Sequence, residues 1–128
     1  AFGIPLGEAF QLRDDMLGVY GDPQETGKPA GDDLREGKRT ALVAIAWERA
    51  DAFQRDLLRQ HLGDPAITPS MVDALRNVIT ETGAQAAVEQ MIDDRTATCR
   101  EVIAAMDIDE QTRAAFDRLL ILATRRSA

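Results

Sequence analysis

Asp14 and Asp15 stand side by side in a stretch that is otherwise mostly apolar, Phe10-Gln-Leu-Arg-Asp-Asp-Met-Leu-Gly18. At about 100° per residue, Leu6, Ala9, Phe10, Leu12, Met16, Leu17, Val19 and Tyr20 cover roughly half the circumference of a helix. That arc predicts a largely buried helix, with Gln11, Asp14, Asp15 and Gly18 sharing the remaining wedge. Two carboxylates on a mostly buried helix are costly unless arginines, lysines or a divalent cation meet them. Carboxylates with no His or Cys beside them suit a hard, oxygen-seeking ion, Mg²⁺ or Mn²⁺, rather than zinc. Such an ion takes one or two protein carboxylates and completes its shell with substrate phosphate oxygens.

The cations sharpen this reading. Of 15 Lys plus Arg, only Lys28 and Lys38 are lysines, and both fall in the glycine-containing segment Gly21–Arg39. An ammonium is a compact point charge where a guanidinium is a planar fork, so the segment reads as one that needs the former. Two lysines and several glycine N–H groups would suit the same phosphate that a metal at Asp14 and Asp15 would hold. A loop of this length is uncommon unless it is functional or disordered, and its mixed charges and spaced glycines favour a binding loop. It is not a P-loop: five residues separate Gly21 from Gly27 and Gly31 from Gly37, where four are needed, and neither lysine is followed by Ser or Thr. No Asp-x-Asp-x-Asp-Gly run suggests an EF-hand either.

The segments around these residues all read as helices. There is no alternating strand pattern and no Asn-Gly hairpin signal. A first helix runs from Pro5 to Tyr20, and a second from an N-cap at Thr40 to His61, stopped by Gly63-Asp64-Pro65. A third starts at Thr68-Pro69 and fades near Gly83. A fourth covers Ala84 to Met106, with a stripe of Val88, Ile92, Cys99, Val102, Ile103 and Met106. The last spans Glu110 to Arg126, with Phe116, Leu119, Leu120 and Ala123 inward and Arg125-Arg126 suited to its C-terminal dipole. The fold class is therefore all-α, a bundle with short connections.

Composition narrows the function. The chain has 128 residues, a net charge of -7 and a pI near 4.6, so nucleic acid is not expected as a partner. One Cys excludes an internal disulfide, and one His, His61, makes His-based metal sites and Ser-His triads poor readings. The longest apolar run, Ala41 to Trp47, cannot span a bilayer, and no secretory signal is visible, so a cytoplasmic protein without stable membrane insertion is expected.

Gly7-Glu-Ala-Phe-Gln-Leu-Arg-Asp-Asp-Met-Leu-Gly, followed by Gly21-Asp-Pro and Thr26-Gly-Lys-Pro-Ala-Gly-Asp-Asp-Leu-Arg-Glu-Gly-Lys-Arg-Thr, closely resembles the second aspartate-rich region of trans-isoprenyl diphosphate synthases. The ordered pattern Phe-Gln-x-x-Asp-Asp, Gly-Asp, Gly-Lys, Gly-x-Asp-Leu, Gly-Lys is specific, and it continues more weakly to Arg125-Arg126. The resemblance implies an isoprenoid-synthase helical bundle, represented by its C-terminal helices, from a polyprenyl synthetase of geranylgeranyl diphosphate synthase type. It implies that Asp14 and Asp15 hold Mg²⁺ bridging to an allylic diphosphate and that Lys28 and Lys38 contact that diphosphate. Gln11 lies one turn earlier on the same wedge, and Asp32 would support the metal or a lysine. The implied chemistry is ionisation of the allylic diphosphate, attack by the isopentenyl diphosphate alkene and loss of a proton. Homodimers are usual in the family, and self-association is expected here.

Two departures stand out. Gly18 occupies the place of the third aspartate of Asp-Asp-x-x-Asp, and the family's first aspartate-rich motif has no counterpart in these residues. The chain is accordingly expected to be the C-terminal portion of a polyprenyl synthetase domain, residues 1–128, and inactive alone. Asp93-Asp94 reads as a solvated face, Cys99 as core, and His61 as a helix-end residue. Arg95 is expected to snorkel rather than meet a buried carboxylate. Trp47 is expected in core packing or a dimer contact. The competing readings are a non-catalytic helical fragment or subunit that retains the diphosphate loop for interaction or regulation, and a terpene cyclase. The Gly-Lys and Gly-x-Asp-Leu-x-x-Gly-Lys pattern favours chain elongation over cyclisation.

Overall fold

A computed structural model describes residues 3–27, 29 and 31–125, and every regular element among them is an α-helix. The elements are α1 (Gly3–Tyr20), α2 (Pro23–Thr26), α3 (Asp32–Glu36), α4 (Ala41–Arg49), α5 (Ala52–His61), α6 (Pro69–Glu81), α7 (Ala84–Ala105) and α8 (Glu110–Thr124). Side-chain caps start several of them as the sequence suggests. Thr68 accepts from the Met71 N–H, with Pro69 at the first helical position, and Thr40 accepts from Val43.

Two of the expected elements are corrected. The helix expected over Thr40–His61 is two helices, because Asp51 and Gln54 form a capping box: the Gln54 N–H donates to Asp51 Oδ1 at 2.8 Å and the Asp51 N–H to Gln54 Oε1 at 2.9 Å. The Gly21–Arg39 segment, read as a loop, contains α2, capped by Asp22 with Pro23 leading, and α3.

The described residues divide into two compact units, 3–14 with 89–125, and 15–88. In the first, Cys99, Ile103 and Leu120 are buried together with Leu6 and Phe116 against them. Burial pushes the Cys99 thiol pKa up, as befits a core residue. Buried Thr96 and Thr124 satisfy their hydroxyls on the carbonyls of Ile92 and Leu120. Arg13 donates both Nη groups to the Glu89 carboxylate at 2.8 and 2.9 Å and its Nε to the Thr124 carbonyl at 2.7 Å, tying α1, α7 and α8. Arg95 meets no buried carboxylate there; it reaches the exposed Glu8 at 3.2 Å. Phe10 and Leu119, expected inward, are 43% and 47% exposed. With Gly3, Leu6, Gly7, Leu122 and Ala123 they line an apolar groove of about 450 Å³.

In the second unit α6 packs on α4 and α5, burying Leu42, Ala46, Leu58, Leu75 and Ile79. Trp47 is not core: it is 37% exposed, with the Arg55 and Arg59 guanidiniums 5.2 and 5.5 Å from its ring centre. His61 is half-buried at the last position of α5. The end of α1 is anchored to α6, since Arg76 Nε donates to the Val19 carbonyl at 2.6 Å and the Tyr20 hydroxyl lies 3.0 Å from Thr80 Oγ1.

Candidate functional site

The last turns of α1 hold Asp15, which is 5% exposed. Lys38 reaches it from beyond α3: its ammonium lies 3.5 Å from Asp15 Oδ1 and 3.8 Å from Asp33 Oδ2. Both carboxylates are buried, while the lysine side chain keeps 38% of its surface open. The local fold explains how Lys38 arrives there. Gly37 ends α3 in the left-handed region at φ 68, and its own Cβ, if it had one, would come within 2.9 Å of Gly63 Cα. The Gly63 N–H in turn donates to the Leu34 carbonyl at 2.9 Å, and the Lys38 N–H to the Asp33 carbonyl at 3.0 Å. The chain thus reverses after α3, with fully buried Leu34 as its apolar anchor.

Asp33, which the sequence analysis does not single out, lies beside Lys38 next to the expected Asp32. Asp32 is half-buried and pairs with Arg35 on its own helix at 3.9 Å, whereas Asp33 is buried beside Lys38. The signal was present, because in Gly31-Asp32-Asp33-Leu34 the aspartate next to the leucine of Gly-x-Asp-Leu is Asp33. One carboxylate oxygen each from Asp32, Asp33 and Glu36 lies within 4.8 Å of the others. Gln11 is exposed and Asp14 half-buried on the part of α1 that belongs to the other unit. Lys28 lies outside the described residues, as does Arg126.

Among the described residues, Lys38 lies against two buried carboxylates, those of Asp15 and Asp33. A hard divalent cation that brings phosphate oxygens fits such a set, since the lysine can serve the anion while the carboxylates serve the ion. By contrast, Asp93 and Asp94 on α7 are exposed, with Arg125 at 3.1 Å and Gln90 at 2.9 Å, and form the solvated face that the sequence suggests. Among the described residues, no helix is long and apolar enough to cross a membrane.

The family model for polyprenyl synthetase matches residues 1–81. The chain belongs to the polyprenyl synthetase family. It superposes on a geranylgeranyl pyrophosphate synthase from Corynebacterium glutamicum, solved with isoprenyl diphosphate and magnesium, with a TM-score of 0.92 and 42% identity, over 98% of this chain and 36% of that one. A polyprenyl synthase from Caulobacter crescentus, solved with calcium and isoprenyl diphosphate, matches with a TM-score of 0.85 and 31% identity, over 99% of this chain and 38% of that one. In sequence, a geranylfarnesyl diphosphate synthase of Aeropyrum pernix is 33% identical over 119 residues, 92% of this chain and 36% of the relative. The fold is therefore the all-α isoprenoid-synthase fold, and the chain spans little more than a third of these polyprenyl synthetase relatives.

Proposed function

We propose that this chain carries the second aspartate-rich diphosphate site of a trans-prenyltransferase that condenses isopentenyl diphosphate with an allylic diphosphate. Residues 1–128 would form the C-terminal portion of its polyprenyl synthetase domain. The observation that carries the reading is the position of Lys38, a partly open ammonium seated on two buried carboxylates, one from α1 and one from α3. Asp14 and Asp15 would hold Mg²⁺ or Mn²⁺, with Asp32 and Asp33 in support, and Lys28 and Lys38 would receive diphosphate oxygens. Gln11 offers its amide to the same substrate. When bound, the metal ion offsets the charge of the diphosphate and makes it a better leaving group.

The chain's own contribution follows from charge. As the allylic C–O bond breaks, its electron pair and growing negative charge pass to the departing diphosphate. A lysine already fixed by Asp15 and Asp33 stabilises that charge without reorganising, which is where preorganised electrostatics contributes most. The isopentenyl double bond then supplies the electrons of the new C–C bond, and the condensed cation loses a proton to form the product alkene.

The exposed apolar groove of the first unit supports a second part of the reading. Phe10, Leu119 and Leu122 present a contiguous apolar surface of the kind that other protein covers. The isolated 128 residues would therefore self-associate, consistent with a homodimeric parent, and would not catalyse prenyl transfer, because both reactants must be positioned together. Light scattering with a labelled isopentenyl diphosphate assay tests this: a monomer that makes prenyl product would overturn it. Calorimetry of an allylic diphosphate with Mg²⁺ on the intact protein tests the site itself, and unchanged affinity in Lys38→Ala would remove Lys38 from it.

A further inference from the structure

Gly18 lies inside the 18-residue helix α1, where glycine is a poor helix former, so its presence calls for a reason. The surroundings supply one. An ideal Cβ at position 18 would overlap Oδ2, Cγ and Oδ1 of Asp33. The Asp33 side chain is 9% exposed, and the same Oδ2 is the atom 3.8 Å from Lys38. A short buried carboxylate cannot yield to a new methyl group and keep that ion pair.

We propose that the absent side chain at position 18 is the seat of the Asp33 carboxylate, and that through this seat Asp33 acts as the positioning residue for Lys38. Gly18 and Asp33 form one coupled unit: a side chain at 18 displaces the Asp33 carboxylate. This goes beyond the prenyltransferase reading and rests on it only for what Lys38 serves; the geometry stands whichever anion the lysine meets.

A double-mutant cycle on the intact protein tests the coupling without substrate. Helix propensity alone makes Gly18→Ala stabilising. With Asp33 present, we expect Gly18→Ala to lower the thermal midpoint by several degrees; in the Asp33→Ala background it should raise it. A midpoint that rises in both backgrounds, or falls equally in both, would overturn the proposal. If Gly18→Ala fails to fold, the double variant must fold, and its failure too counts against the idea. The second readout is specific to positioning. The sequence holds two lysines, so peptide mass spectrometry after amine acetylation follows each separately. Gly18→Ala and Asp33→Ala should each speed labelling of Lys38 several-fold, with the double variant no faster than Asp33→Ala. An unchanged Lys38 rate in either single variant would contradict the proposal. Because neither readout uses an allylic substrate, their failure is distinct from failure of the catalytic reading.

Discussion

Two of the chain's adjacent aspartate pairs, Asp14-Asp15 on α1 and Asp93-Asp94 on α7, have different fates. Asp15 of the first pair is buried against Lys38, while Asp93 and Asp94 of the second lie on an exposed face of α7 and meet only peripheral partners. The dipeptide is the same; the neighbourhood decides what it does. The first pair is followed by a segment whose glycines turn the chain and return a lysine to the helix. Nothing comparable follows the second pair, and Arg125, which reaches Asp93, is itself 55% exposed. Ion pairs of that kind contribute little to stability, about 0–1 kcal/mol.

The contrast yields graded expectations. The largest is on turnover: Asp14→Ala in the full-length enzyme should reduce Mg²⁺-dependent allylic diphosphate turnover by about 10²-fold or more, as loss of a group that stabilises transition-state charge does. Its helical circular dichroism should be unchanged, and Asp94→Ala should turn over like wild type. Steady-state kinetics at saturating Mg²⁺ checks this, and equal losses in both variants would erase the distinction. Next come the lysines. Lys38→Ala and Lys28→Ala should each weaken allylic diphosphate binding by about 1.5–3 kcal/mol, the range for a hydrogen bond to a charged group, with Arg rescuing only partly. Titration calorimetry reads both. On the other face, Asp93→Asn should change folding stability by less than about 1 kcal/mol in chemical denaturation. A larger loss would mean that the second pair is not merely solvated.

A smaller effect concerns pH. Burial raises the Tyr20 pKa above its ordinary value of 10.0, against the lowering influence of the Thr80 hydrogen bond and the Arg76 charge. A raised folded pKa means that the neutral phenol is favoured in the native state. Its contribution is full below the unfolded pKa and is lost as pH rises through the folded one. Stability should therefore decline in alkaline solution, above roughly pH 10, and Tyr20→Phe should flatten that part of the profile in denaturant titrations.

Much of the helical order is legible in the residues, because caps and stops are local chemistry. Thr68-Pro69 and the glycine before Ala84 mark ends that the structure keeps. The break between α4 and α5 was equally local, an Asp51-x-x-Gln54 box, but the apolar run before it masked it. What could not be read was what long-range packing decides. A helical wheel counts Phe10 as inward because it is apolar, yet which residues cover it depends on the rest of the fold. Trp47 looks like core until α5 turns back and sets two guanidiniums near its ring. Asp32 and Asp33 are alike by type; the Gly-x-Asp-Leu spacing marks Asp33, but its place beside Lys38 is set by the turn of α3. Gly18 read as a missing ligand, whereas its lack of a side chain leaves room for a carboxylate from elsewhere in the chain.

Asp15, Asp33 and Lys38 are expected to bind a metal diphosphate together. Calorimetric titration of the intact protein with inorganic diphosphate, with and without Mg²⁺, tests it most directly when run on wild type, Asp15→Asn and Asp93→Asn. Mg²⁺-dependent binding that is lost in Asp15→Asn and retained in Asp93→Asn is the predicted result. Binding that ignores Mg²⁺, or that survives Asp15→Asn intact, would contradict the account.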